Sequence, residues 1–137
     1  MKARTKHWLD SSEYDLKVAR NLLKTQSNVY VIFMCHLAIE KLLKALVVEV
    51  TDLNEPPHIH GLNRLAEIAK VADNLSNDQM EFLSELTRMQ SATRYADELH
   101  TYRSFTRKIA EEYLSKTKAM HKWLKKKLMS AASSANS

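Results

Sequence analysis

Glycine occurs once in this chain of 137 residues, proline twice and cysteine once. So little glycine and proline excludes a fold made of many tight turns and points to long helices with short connections. A lone cysteine, Cys35, excludes a disulfide framework, suits a reducing compartment, and reads as a small core hydrophobe inside an apolar stretch. No uninterrupted apolar run is long enough to span a bilayer, because His36, Glu40, Lys41 and Lys44 break the longest one. The opening MKARTKHWLDSSEYD is polar and lacks the apolar core of a signal peptide. Glycine-rich phosphate loops, zinc-ligand spacings, Ser-His-Asp order and paired-carboxylate motifs are missing too. The expectation is an intracellular, cytoplasmic protein without metal or cofactor.

What is present is helical periodicity. Leu9, Ser12, Leu16, Ala19 and Leu23 recur at three and four residues, predicting a helix from about Lys6 to Thr25. Gln26-Ser27-Asn28 breaks it, and Ser27 or Asn28 can cap the next helix. That helix, VYVIFMCHLAIEKLLKALVVEV from Val29 to Val50, is apolar nearly all round and belongs in the core. The segment Asp52–Gly61 holds Pro56-Pro57 and reads as the main loop. A shorter helix places Leu62, Leu65, Ala66, Ile68, Ala69 and Ala72 on one side. Ser76-Asn77-Asp78-Gln79 has the form of a capping box, opening a helix that carries Phe82, Leu83, Leu86 and Met89 to the core and reaches Arg94. A break is expected within Tyr95–Leu99. The last helix turns Tyr102, Phe105, Ile109, Tyr113, Met120, Trp123, Leu124 and Leu128 inward. The fold class predicted is all-α: an up-and-down antiparallel bundle of four long helices plus a short one, a single domain over 1–129 with a frayed tail at 130–137.

Net charge is +5, with Lys116, Lys118, Lys122, Lys125, Lys126 and Lys127 crowded late in the chain. Such a run is either a solvated helix face or a surface for phosphates.

Two places can carry chemistry. On the core helix His36, Glu40 and Lys44 repeat every four residues, a polar seam in which Glu40 can pair with Lys44 and accept a hydrogen bond from His36. The second is SATRYADELHTYR, from Ser91 to Arg103. A guanidinium such as Arg94 binds a phosphodiester bidentately, and an imidazole such as His100 moves protons to or from a 2′-hydroxyl or a leaving oxygen. Six residues of unbroken helix turn about 600 degrees and separate the two, so they converge only through a bend or across two chains. Asp97, as N-cap of a helix beginning at Glu98, supplies a bend. Otherwise Arg94 pairs with Asp97 or Glu98 and His100 is exposed. His58 and His60 flank Ile59 in the loop, with nothing nearby to complete a metal site.

These residues resemble the HEPN family (higher eukaryotes and prokaryotes nucleotide-binding). The resemblance lies in WLDSSEYDLKVARNLL from Trp8, MCHLAIEKLLKAL from Met34, HIHGLNRL from His58 and RYADE from Arg94, in order over Trp8 to Leu128. It implies a helical bundle that usually dimerises. Many members are metal-independent RNases with an Arg, four to six residues, then a His at a dimer cleft. Often they are toxins beside a minimal nucleotidyltransferase antitoxin. Arg94 and His100, with five residues between, fit that spacing as the catalytic pair. Tyr102 completes an H-x-Y ending whose Tyr can receive AMP from the partner. Tyr95 stands where RNase members usually have Asn, Asp or His, and RYADE resembles an R-Y-P-D branch of nucleotide-binding or accessory members, with Ala96 in place of Pro. That branch implies a non-catalytic module binding nucleotide near Arg94 and Tyr95 or near Glu40 and Lys44. A dimeric scaffold, with the seam fixing helix register, is a further reading. The resemblance makes His36, Glu40 and Lys44 a structural signature.

Overall fold

A computed structural model describes residues 1–94 and 104–135. Among these are five α-helices: α1 (Ala3–Lys24), α2 (Asn28–Val50), α3 (Leu62–Ile68), α4 (Asn77–Arg94) and α5 (Arg107–Ala135). A 3-10 turn at Ala72–Asn74 joins α3 to α4.

Because α2 is apolar nearly all round, it takes the centre, and α1, α3, α4 and α5 pack around it. Val31, Ile32, Cys35, Ala38, Ile39, Leu42, Leu43, Ala45 and Val47 are fully buried. Contacts between α1 and α2 run from Lys2–Glu49 to Ser12–Ala38, so these two helices are antiparallel. Phe105, Ile109 and Tyr113 meet Val29 and Ile32, whereas His121 reaches Ser12 beside Ala38. Helix α5 therefore runs in the direction of α2. Met89 of α4 meets the same cluster and Phe82 lies against Tyr113, so α4 runs the opposite way. The result is the expected up-and-down bundle.

The capping box forms as the sequence suggested: Ser76 Oγ accepts from Gln79 N–H at 3.1 Å, and Gln79 Oε1 accepts from Ser76 N–H at 2.9 Å. Two expectations are corrected. Ser27 stands at the N-cap of α2 but makes no side-chain capping bond; its hydroxyl pairs with Thr25 Oγ1 at 3.0 Å. Helix α5 runs on into the segment expected to fray, reaching Ala135 with Ala132 buried. Leu124, Leu128 and Ala132 keep the i, i+4 stripe going, and alanine is the best helix former. Residues 95–103, and with them the expected break and the Asp97 cap, lie outside the described residues.

Scarce glycine leaves its mark at the helix ends. Helix α1 closes with Ser27 N–H bonded to Leu22 C=O and Gln26 N–H to Leu23 C=O, and Gln26 has φ 58°. After α3, Val71 N–H bonds to Ala66 C=O and Lys70 N–H to Glu67 C=O, and Lys70 has φ 63°. Both are Schellman closures, whose left-handed position normally takes glycine. The one glycine, Gly61, has φ −72° and precedes α3. Gln26→Gly therefore removes left-handed strain of about 1–2 kcal/mol and adds about 0.5–1 kcal/mol of unfolded-chain entropy. Urea unfolding should show the variant more stable by up to about 1.5 kcal/mol; a destabilised variant would contradict the strain assignment.

Candidate functional site

The polar seam is internal. His36, Glu40 and Lys44 are all buried, stacked along one side of α2. Glu40 Oε2 lies 3.6 Å from Lys44 Nζ. Its other oxygen meets His60 Nδ1 at 3.1 Å, which brings a histidine of the long loop onto the central helix. Lys44 also lies over the Trp8 ring of α1, 5.5 Å from its centroid, a cation–π contact in a partly dry setting. The hydrogen bond expected from His36 to Glu40 is missing: neither ring nitrogen has a partner among the described residues. Burial pushes the His36 pKa down, against the opposing pull of Glu40 and the nearby His60 backbone. The imidazole is thus neutral at pH 7. Carboxylate, ammonium and exposed His60 close on each other, so the seam fastens α1, α2 and the loop.

A second buried polar pair escaped the sequence reading. Ser12 Oγ donates to the Ala38 carbonyl at 2.5 Å and lies 2.9 Å from His121 Nε2. With its only proton committed to Ala38, Ser12 must accept from His121, so Nε2 carries the ring proton. Both residues are buried. A serine that gives its proton to a backbone carbonyl is not activated as a nucleophile. Burial also lowers the His121 pKa, with Glu13 opposing. These two are 109 residues apart, and only their places on apolar helix stripes hinted at burial. Cys35 is buried too, and burial lifts its thiol to about 11, far from a reactive thiolate.

Arg94 is the last residue of α4, and its side chain lies outside the described residues, as do Tyr95, Asp97, His100 and Tyr102 in full. The anchors on each side are described. Met89 before the segment and Phe105 and Ile109 after it all pack on Val29 and Ile32, at the end of the bundle where α2 begins. His36, Glu40, Lys44, Ser12 and His121 lie further along the bundle, away from that end. Among the described residues no three His, Cys, Asp or Glu side chains converge as metal ligands. None of the described helices is long and apolar enough to cross a membrane.

The described residues form an all-helical bundle around α2. The sequence matches the HEPN domain family over residues 5–128, and the chain belongs to that family. Its fold is similar to that of TT1696 from Thermus thermophilus, with a TM-score of 0.80 at 22% identity over 92% of this chain and 99% of the other. It is also similar to ST0689, an archaeal HEPN homologue, with a TM-score of 0.71 at 22% identity over 93% and 99% of the two chains. No curated protein matches the sequence.

The buried charges and imidazoles generate two predictions. Glu40→Gln strands the Lys44 ammonium and should lower unfolding stability by about 3–5 kcal/mol, while Glu40→Gln with Lys44→Met should recover most of that loss. Equal losses in the single and double variants would show that the pair is not coupled. His36 and His121 hold fewer protons folded than unfolded once pH falls below about 6.5. Their contribution is complete above that pH and is lost as pH drops towards the lowered folded values. Between pH 6.5 and 5.5 the loss is at most about 1.4 kcal/mol for each histidine. His36→Leu should flatten the measured slope of unfolding free energy against pH.

Proposed function

We propose that this HEPN protein is a ribonuclease that cuts RNA without a metal ion, using Arg94 and His100. One observation carries the reading: both ends of the segment holding these residues are anchored on the Val29–Ile32 cluster at one end of the bundle. Of the other polar groups of the core, Glu40 is held by Lys44 and His60, and Ser12 by Ala38 and His121. The 2′-oxygen attacks phosphorus, forming a cyclic phosphate as the bond to the 5′-oxygen breaks. A neutral imidazole takes the 2′-hydroxyl proton, and a protonated one returns a proton to the leaving oxygen. A homodimer supplies two copies of His100 for these two tasks. Arg94 holds the phosphate bidentately and stabilises its growing charge. Lysines of α5 attract the RNA backbone.

On this reading the protein acts in the cytoplasm as the toxin of a toxin–antitoxin pair. Tyr102 is then the acceptor of a nucleotidyl group from a minimal nucleotidyltransferase. Tyr95 and Asp97 flank the phosphate site. A second reading rests on Tyr95 directly after Arg94, in a string that resembles R-Y-P-D: a nucleotide-binding accessory module without cleavage.

The test is incubation of the purified protein with RNA in excess chelator. Wild type should cleave, and Arg94→Ala and His100→Ala should each fall by about 100-fold or more. Cleavage unchanged in both variants, or abolished by chelator alone, would sink the ribonuclease reading. Nucleotide binding with no cleavage would favour the accessory module.

A further inference from the structure

Helices α4 and α5 hold together at one end and splay at the other. Met89 shares a cluster with Ile109 and Tyr113, and the Phe82 and Tyr113 rings lie 6.1 Å apart. Beyond Phe82, towards the start of α4, the two helices part around a groove of about 590 Å³. Its apolar lining is buried Phe82 and Met120, half-buried Trp123 and exposed Ala119. Its α4 rim carries Asp78, Glu81 and Glu85, none of which has an ion-pair partner among the described residues. Three such carboxylates side by side stand out on a chain of net charge +5. Facing them from α5 is Lys116, whose ammonium lies 6.0 Å from the centre of the Phe82 ring. The groove thus already holds one alkylammonium over an aromatic face beside a carboxylate rim.

We propose that this groove is the docking site for a basic amphipathic helix of a partner protein. The apolar face of such a helix covers Phe82, Ala119, Met120 and Trp123. Its Lys or Arg side chains reach Asp78, Glu81 and Glu85, and the same carboxylates repel nucleic acid. The lysine-rich end of this chain's own α5 is a poorer occupant. Lys125 is held by Glu13 at 3.2 Å, and Lys122, Lys125 and Lys126 share a helix with the groove wall itself. The groove opens at the start of α4, 16 residues or about 24 Å from Arg94 at its end. A partner seated there bears on α4 and α5, the helices before and after residues 95–103 in the sequence.

The experiment titrates a fluorescently labelled 18-residue peptide of Leu and Lys at helical spacing into the full chain, read by anisotropy without RNA. Controls are an isomer of equal charge broken by a central proline, and a peptide with Glu in place of Lys. Expected are saturable binding of the helical basic peptide alone, at least tenfold weaker binding by Glu81→Lys/Glu85→Lys, and similar weakening by Ala119→Trp, which obstructs the apolar lining. Circular dichroism checks that both variants keep the fold. Equal binding of the proline-broken isomer, or no weakening in both variants, would overturn the proposal. So would sedimentation showing a wild-type dimer that Glu81→Lys/Glu85→Lys dissolves, since the occupant would then be a second copy. Because no RNA is present, the outcome is independent of the ribonuclease reading.

Discussion

Burial of α2 over most of its circumference is the constraint from which the rest of the bundle follows. Val31, Cys35, Ile39 and Leu43 are as fully buried as Leu42 and Leu46, and the line of Tyr30, Phe33, Leu37 and Lys41 keeps some exposure. The helix needs neighbours on its other sides, and α1, α4 and α5 each supply an apolar stripe rather than a fully apolar surface. The directions of those helices follow from short connections and the requirement that each stripe face the same axis. Met89, Phe105 and Ile109 consequently lie at the end where α2 starts, while the long proline-containing loop begins where α2 stops.

Charge inside such a core must be matched group by group. Glu40 meets Lys44 and His60, Asp15 meets Lys41 at 2.7 Å, and Lys41 also donates to Ser11 at 2.8 Å. At the far end Lys2 Nζ donates to the carbonyls of Val48 and Thr51 at 2.7 and 2.9 Å, closing the last turn of α2. Apart from the Glu40–Lys44 pair, which lies within α2, each of these joins α2 to the α1 segment or to the loop, so the polar groups set register along an interface where apolar packing alone tolerates sliding. His36 has no such match. It is buried without a hydrogen-bonding partner among the described residues, and it stays neutral because the site is dry.

Legibility in the sequence tracked how local each interaction is. The periodic stripes of α2 and α5, the Ser76–Gln79 capping box and the Glu40–Lys44 pair span four residues or a repeat of four, and all were readable. Ser27 had the right residue type for a cap, yet the Schellman closure at Gln26 draws its N–H into α1 and its hydroxyl turns to Thr25. His60 joining Glu40 and His121 joining Ser12 depend on tertiary placement, and no spacing in the chain encodes either contact. The helical run to Ala135 was missed because small residues carry little periodicity. For the candidate site, residue types and the Arg94-to-His100 interval could be read, but convergence of those two side chains is a matter of three-dimensional placement.

A central helix covered by both earlier and later parts of the chain also sets a clock. Helix α1 precedes α2 on the ribosome, so one flank is covered at once. The flank that α5 covers waits until Arg107 and the residues after it are made, 57 residues beyond Val50. At about 5–20 residues per second, that apolar strip stays uncovered for roughly 3–11 s during every round of synthesis. Nascent chains of this protein therefore pass through an interval in which their most apolar segment is a half-finished surface, and a chaperone that binds such strips meets it there.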